Sequence, residues 1–251
     1  MKLNYNMQNF INHLNTFKNG LHFKEYNNEK AIISLTSWTK RINHCDETIK
    51  SLIKNCKGFH IVLVLAVEEF PNRERDLPKQ LLKLHDYFEI LWVEKNYKAF
   101  KKVIFTMDKY RDIPVISADD DLIYTTNYAQ RLYNKWIDNK KSFITYMSKN
   151  KFNTWGFGTL FPPYVFKEYG IKMVEMLYNN IKTNKVFCDD GLYAFLRKKN
   201  KMNVISFNSN TIYKIHHSND SISMLRKKNN KNFYFYDNLM EQLWENICIT
   251  T

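Results

Sequence analysis

Three consecutive carboxylates, Asp119, Asp120 and Asp121, stand between two apolar stretches, Pro114 to Ala118 and Leu122 to Ile123. A strand that is apolar on both sides belongs inside a parallel sheet. Three carboxylates at its end repel one another in a partly desolvated place unless a cation sits among them. Residues two apart in extended backbone share a face, so Asp119 and Asp121 are expected to point one way and Asp120 the other, where it would hold the turn. Two hard oxygen donors on one side suit Mn²⁺ or Mg²⁺ and not zinc. The competing reading is a solvated acidic turn after an edge strand. The apolar flanks favour the metal site.

Other residues could work beside the trio. Asp189-Asp190-Gly191 precedes a periodic apolar run, Leu192, Tyr193, Phe195 and Leu196. An Asp there can cap the helix or serve as a general base. Thr36, Ser37 and Arg41 follow the apolar run that starts at Ala31. Hydroxyls and N–H groups at a strand-to-helix turn suit ribose and phosphate, although Ser37 or Thr39 could equally cap the next helix. Lys98 and Lys102 are four apart, hence expected on one helix face, either solvated or turned toward a ligand. Gly156 and Gly158, within WGFGTLFPP, would let backbone approach a ligand closely; the same stretch also reads as a bulged strand.

The elements that must position these groups alternate. AIISLTS from Ala31 reads as a strand, followed by a helix with Cys45, Thr48, Ile49, Leu52 and Ile53 inward. IVLVLAV from Ile61 is the next strand, then a helix carrying Leu81, Leu82 and Leu84, then the strand EILWV from Glu89. A helix with Phe100, Val103, Ile104 and Met107 inward leads to the strand that delivers the Asp trio. This rhythm predicts a right-handed, mostly parallel α/β sheet, in which ligands bind beyond the carboxyl ends of the strands. Ser37, Lys95 and Asp119 would meet there. After Asp121 the pattern becomes irregular: a helix over Tyr128 to Ile137, the strand SFITY, the aromatic and glycine stretch, and a helix bearing Val174, Leu177 and Ile181. A terminal helix carries Leu239, Leu243, Trp244 and Ile247, with Asn238 and Glu241 as its expected capping box. The first twenty or so residues pattern as an amphipathic helix.

The totals bound the reading. The chain has 251 residues and a formal net charge of +13, so an anionic partner is expected. Its 44% hydrophobic share excludes a disordered protein. Cys45, Cys56, Cys188 and Cys248 have no metal-ligand spacing and read as thiols in a reducing compartment. The amino terminus lacks an apolar signal core, and the longest apolar run, Ile61 to Val67, is too short to span a bilayer. A cytoplasmic protein is expected, held at most peripherally on the inner face of the plasma membrane.

SLTSWTKR from Ser34, NYKAFKKV from Asn96, ISADDDLIY from Ile116, WGFGTLFPP from Trp155 and FCDDGLYAFL from Phe187, in that order, resemble the GT-A glycosyltransferases. The likeness is to family-2-like bacterial enzymes of capsule and lipopolysaccharide assembly. It implies a Rossmann-like, mostly parallel central sheet with a mixed, more irregular C-terminal half. It also implies a nucleotide-diphosphate sugar donor, UDP-linked by resemblance, a saccharide or glycolipid acceptor, and Mn²⁺ or Mg²⁺. Residues 1–30 would be a helical extension, 31–125 the nucleotide-sugar half, and 126–251 the acceptor-binding and catalytic half of one compact domain. By the same resemblance Asp119 lies near ribose or metal and Asp121 coordinates the metal. Thr36, Ser37, Arg41, Lys98, Lys102, Asp120, Gly156 and Gly158 would serve the donor. Asp190, with Asp189 close behind, would be the base of an inverting reaction, and His217 or His216 would complete the metal shell.

Two other classes compete. A basic nucleic-acid-binding protein fits the charge and the 16% aromatic content. No nucleic-acid module is present in the pattern, however, and a carboxylate trio repels phosphates unless metallated, so no nucleic acid is expected. A metal-dependent nucleotidyl or phosphoryl transferase also pairs carboxylates around a cation. The basic runs Arg197 to Lys201 and Arg226 to Lys231 read as solvated faces that would also suit an anionic membrane or a phosphorylated glycolipid.

Overall fold

The computed structural model describes residues 30–146, 158–166, 169–183, 189–207, 214–215 and 233–249. Nine strands are described: β1 (Ile32–Thr36), β2 (His60–Ala66), β3 (Glu89–Val93), β4 (Val115–Ser117), β5 (Leu122–Ile123), β6 (Ser142–Tyr146), β7 (Thr159–Phe161), β8 (Asn203–Phe207) and β9 (Lys214–Ile215). The helices are α1 (Cys45–Asn55), α2 (Lys79–Leu82), α3 (Lys101–Lys109), α4 (Tyr128–Ile137), α5 (Tyr169–Lys182), α6 (Asp189–Lys199) and α7 (Phe233–Ile249).

Seven strands form one sheet in the order β3-β2-β1-β4-β7-β6-β8, and β5 pairs with β9 in a small second sheet. β1 to β4 pair in parallel, with Ile32 opposite both His60 and Val115. β7 is antiparallel to β4 and β6, while β8 follows β6 in parallel. The fold is therefore GT-A-like α/β: a mostly parallel half, then a mixed one.

Alternation along the strands separates two cores. Ile32, Val62, Val64 and Val115 pack against α3, α5, α6 and α7 through Val103, Met173, Leu192 and Met240. On the opposite face Ile33, Leu35, Leu63 and Ile116 meet α1 and α4 through Ile49, Leu52 and Leu132. The sheet is thus covered on both sides, as parallel strands apolar on both faces require. Ser34 is a polar exception on β1. Its hydroxyl donates to the Lys102 carbonyl and shares a hydrogen bond with Thr106 Oγ1 at 2.6 Å, which locks α3 onto the sheet.

Two boundaries differ from the sequence expectation. The helix expected through Leu84 is the single turn α2, followed by a 3-10 turn at His85–Tyr87. α7 begins at Phe233, so Asn238 and Glu241 lie inside it and form no capping box; Glu241 accepts from Lys199 at 2.5 Å instead. Further along α7, Trp244 packs against the rings of Tyr169 and Phe195. Among the described residues no helix is long and apolar enough to cross a membrane. The amino-terminal helix expectation lies outside the described residues.

Candidate functional site

The Asp trio occupies the short loop between β4 and β5, at the carboxyl end of the parallel sheet. α1 straps this loop down. Thr48 Oγ1 donates to the carbonyls of Asp120 and Leu122 at 3.0 and 2.8 Å. Ser51 Oγ accepts from Tyr124 N at 3.0 Å, and Asn55 Nδ2 donates to the Tyr124 carbonyl at 2.8 Å. From the far side, Tyr124 Oη accepts from Asp119 N at 2.7 Å, and Tyr128 Oη donates to the Ser117 carbonyl. The Asp119 and Tyr124 N–H groups and the Asp120, Leu122 and Tyr124 carbonyls are thereby satisfied by side chains.

Each carboxylate then finds a different neighbour. Asp119 faces α3: Lys102 Nζ donates to its Oδ1 at 2.8 Å. Lys102, whose side chain is 5% exposed, also stands 3.5 Å from Asp189 Oδ2 at the start of α6. Asp120 turns inward, accepts from Ser37 Oγ at 2.6 Å and lies 2.6 Å from Arg41 Nη2. Asp121 accepts from Arg41 Nη1 at 2.7 Å. The trio thus straddles the sheet, one carboxylate engaging the α3–α6 side and two engaging the loop after β1.

Among the described residues the carboxylates Asp119, Asp120, Asp121 and Asp189 touch two cations, Lys102 and Arg41, while buried Lys101 attracts Asp120 from further off. Burial pushes Asp120 up to about 6 against the pull of Arg41 and Ser37. Burial, then the charge of Asp119, raises Asp121. For Lys102 burial works downward, but Asp119, Asp189 and Asp190 outweigh it and hold the ammonium well above its ordinary value. Asp189 Oδ2 is buried with no hydrogen bond among the described residues.

The sequence expectations sort as follows. Ser37, Arg41, Lys102, Asp119, Asp120, Asp121 and Asp189 come together, with Asp190 close enough to raise Lys102. Thr36 adjoins Ser37, but its hydroxyl donates to the Val64 carbonyl at 2.7 Å. Lys98 departs from the expected helix face. Its backbone is left-handed (φ 51°) in a 3-10 turn before α3, and Nζ donates to the Ile181 and Lys182 carbonyls at 2.8 and 3.3 Å. Because the α-helix begins only at Lys101, the four-residue spacing to Lys102 carries no shared face. Lys95 likewise pairs with Glu175 at 3.0 Å. Gly158 opens toward a side chain, not a ligand: a Cβ there would meet Tyr146 Cδ2 at 2.7 Å. Asp189 and Asp190 lie within the first turn of α6 and not before it. Gly156, His216 and His217 lie outside the described residues.

Sequence reasoning missed Thr48, Ser51 and Asn55 as supports of the acidic loop. The available signal was two hydroxyls three apart on the inward face of α1, where apolar residues would be expected.

Whether these residues suit a divalent cation is a matter of donor chemistry. Among the described residues no cluster of three or more His, Cys, Asp or Glu ligands is gathered. Asp119 and Asp121 are hard oxygen donors with side chains 33% and 17% exposed, and the surplus of carboxylate charge is of the sign a cation would relieve. Asp121 shares Arg41 with Asp120 while Asp119 engages Lys102, so Asp119 and Asp121 do not point one way as the two-residue spacing predicted; as hard oxygen donors both suit Mn²⁺ or Mg²⁺ in kind.

No family model matches the chain, and no curated protein matches it. Among solved structures it is similar to S. aureus TarS 1-349, with TM-score 0.50 and 12% identity, over 78% of this chain and 63% of that one. It is similar also to that protein in complex with UDP (TM-score 0.51, 10% identity, 74% of this chain and 60% of that one). A third is the mannosyltransferase PcManGT from Pyrobaculum calidifontis in complex with GDP-Man and Mn²⁺ (TM-score 0.50, 11% identity, 72% and 55%). The chain spans less than two thirds of each. At such identities the likeness is one of fold, and the α/β architecture is the common element.

Proposed function

We propose that the chain is a metal-dependent glycosyltransferase that moves a sugar from a nucleotide-diphosphate donor, UDP-linked in our reading, to a saccharide or glycolipid hydroxyl in surface polysaccharide assembly. One observation carries it: Lys102 joins Asp119, after a buried parallel strand, to Asp189, which opens a helix of the second half, in a crevice with more carboxylates than cations. Support comes from two of the similar structures, which are complexes with UDP and with GDP-Man and Mn²⁺. A nucleic-acid binder would not gather unbalanced carboxylates at its cleft.

In this reading Asp119 and Asp121 hold the divalent cation, which when bound would neutralise the diphosphate leaving group. Ser37 and Arg41 fix Asp120, which keeps the turn in shape. Asp189 is the more buried of the acidic pair and is tied to Lys102; Asp190, half-buried beside it, would act as the base. The acceptor proton passes to an Asp190 carboxylate oxygen as the acceptor oxygen bonds to the anomeric carbon. The bond from that carbon to the diphosphate oxygen breaks, and the nucleoside diphosphate leaves with the electron pair. Attack from the face opposite the leaving group inverts the anomeric centre. The basic surface would face an anionic membrane or glycolipid at the cytoplasmic side.

The test is a thermal-shift screen of UDP-, GDP- and CMP-sugars with and without Mn²⁺, followed by mass spectrometry of released nucleotide. Metal-linked stabilisation by one donor is expected. Asp121→Ala should retain the fold, lose that linkage, and lower turnover by on the order of 10²–10³-fold. Normal turnover by the variant, or salt-sensitive oligonucleotide binding with no donor effect, would overturn the reading.

A further inference from the structure

Among the described residues Arg41 and Lys102 are the cations that touch the acidic trio, and they are held differently. Lys102 projects from α3, is 5% exposed, and touches carboxylates on two elements. Arg41 comes from the loop between β1 and a single 3-10 turn, and its side chain is 22% exposed. Its Nη1 donates to Asp121 Oδ2 at 2.7 Å, and its Nη2 stands 2.6 Å from Asp120 Oδ1. Its Nε is buried with no acceptor among the described residues. Asp120 has a second donor in Ser37. Asp121 lies on the more open side, 17% exposed against 1% for Asp120, and among the described residues Arg41 is the side chain that donates to it.

A guanidinium and a hard divalent cation compete for the same carboxylate lone pairs. An arginine fork with one N–H unfilled is also well matched to phosphate oxygens, which it can grip through two parallel bonds. We propose that Arg41 is an exchangeable counter-ion. It closes the Asp120–Asp121 pair in the ligand-free chain and gives up Asp121 when that carboxylate takes a divalent cation. It then turns its freed Nη1 toward a phosphate oxygen of a nucleoside diphosphate. Lys102 stays tied between Asp119 and Asp189 throughout. This rests on the reading of the crevice as a nucleotide-sugar site.

The experiment follows Arg41 directly. In wild-type protein labelled with ¹⁵N-arginine, the Arg41 side-chain signal is assigned by its loss in Arg41→Lys, then followed as Mg²⁺ alone and Mg²⁺ with UDP are added. The signal is expected to move at the first addition and again at the second. Calorimetry on Arg41→Met should give Mn²⁺ binding about tenfold tighter than wild type without UDP, and UDP binding about tenfold weaker with Mn²⁺ present, a coupling of ordinary size. An Arg41 signal that stays fixed through saturation, or Mn²⁺ affinity unchanged or lowered in Arg41→Met, overturns the proposal. If Arg41→Met does not fold, the wild-type signal decides alone. Tighter Mn²⁺ binding by the variant with no UDP binding by either protein would keep the exchange and remove the donor reading. Absence of Mn²⁺ binding in both proteins would remove both.

Discussion

Glu89 and Asp120 are carboxylates at opposite ends of the same sheet, and their surroundings are opposites too. Glu89 opens β3 and is ringed by donors: His60 Nε2 at 3.0 Å, Lys109 Nζ at 2.5 Å, and the Tyr110 hydroxyl. Burial would raise Glu89, but these hydrogen bonds prevail and hold it at about 2. Asp120 is buried more deeply, has Ser37 and Arg41, and is pushed up to about 6 with Asp121 and Asp119 as neighbours. Among the described residues Glu89 thus has donors enough, while Asp120 and Asp121 share one guanidinium. That difference in charge is of the sign our proposed cation would relieve.

The largest effect should come from removing a cation where cations are already short. Lys102→Met leaves Asp119 and Asp189 facing each other without their shared ammonium. Breaking a buried ion pair on one side costs about 3 to 5 kcal/mol, and the partial exposure of Asp119 puts the expectation near the lower figure. Urea unfolding of the ligand-free protein measures it. A variant as stable as wild type would mean that the crevice is not electrostatically strained, and the contrast between the two ends would fail.

The balanced end predicts a pH response of definite sign. Glu89 has a folded-state pKa of about 2, below the ordinary 4.5. Its contribution is therefore fully present above about pH 4.5 and is lost as pH falls toward 2, because the unfolded chain takes the proton first. The shift corresponds to about 3 kcal/mol. Unfolding followed from about pH 5 down to about pH 2.5 should show wild type losing stability that Glu89→Gln lacks from the start, so the two curves converge. Parallel curves would show that His60, Lys109 and Tyr110 do not favour the ionised form.

Much of the fold was legible because the strand signal is local. Ile33 and Leu35 on one face and Ile32 on the other follow from period-two alternation alone, as do the equivalent residues of β2. The acidic trio was legible because carboxylates immediately after an apolar strand are hard to explain otherwise. What escaped was set by partners far away in sequence. The link from Lys102 to Asp189 depends on where α6 docks, and Thr48 reaches Asp120 only because α1 lies across the loop. Gly158 reads as a place for ligand approach until the ring of Tyr146 is seen to fill it.

The smallest effect tests a distinction invisible to spacing. Lys98 and Lys102 are the same residue type four positions apart, and helix periodicity treats them as equivalent. The left-handed backbone at Lys98 breaks that equivalence and sends its ammonium to the last carbonyls of α5, at Ile181 and Lys182. There it serves as a cation at a helix carboxyl end, worth about 0.3–1 kcal/mol. Lys98→Met should therefore cost no more than about 1 kcal/mol in urea and leave metal-linked stabilisation by UDP unchanged. Lys102→Met should diminish both. If Lys98→Met also abolished the UDP response, the two lysines would share one role after all. The imbalance would then extend beyond the trio and its immediate cations to the turn before α3, and the surplus of negative charge at the carboxyl end would be smaller than the ion pairs imply.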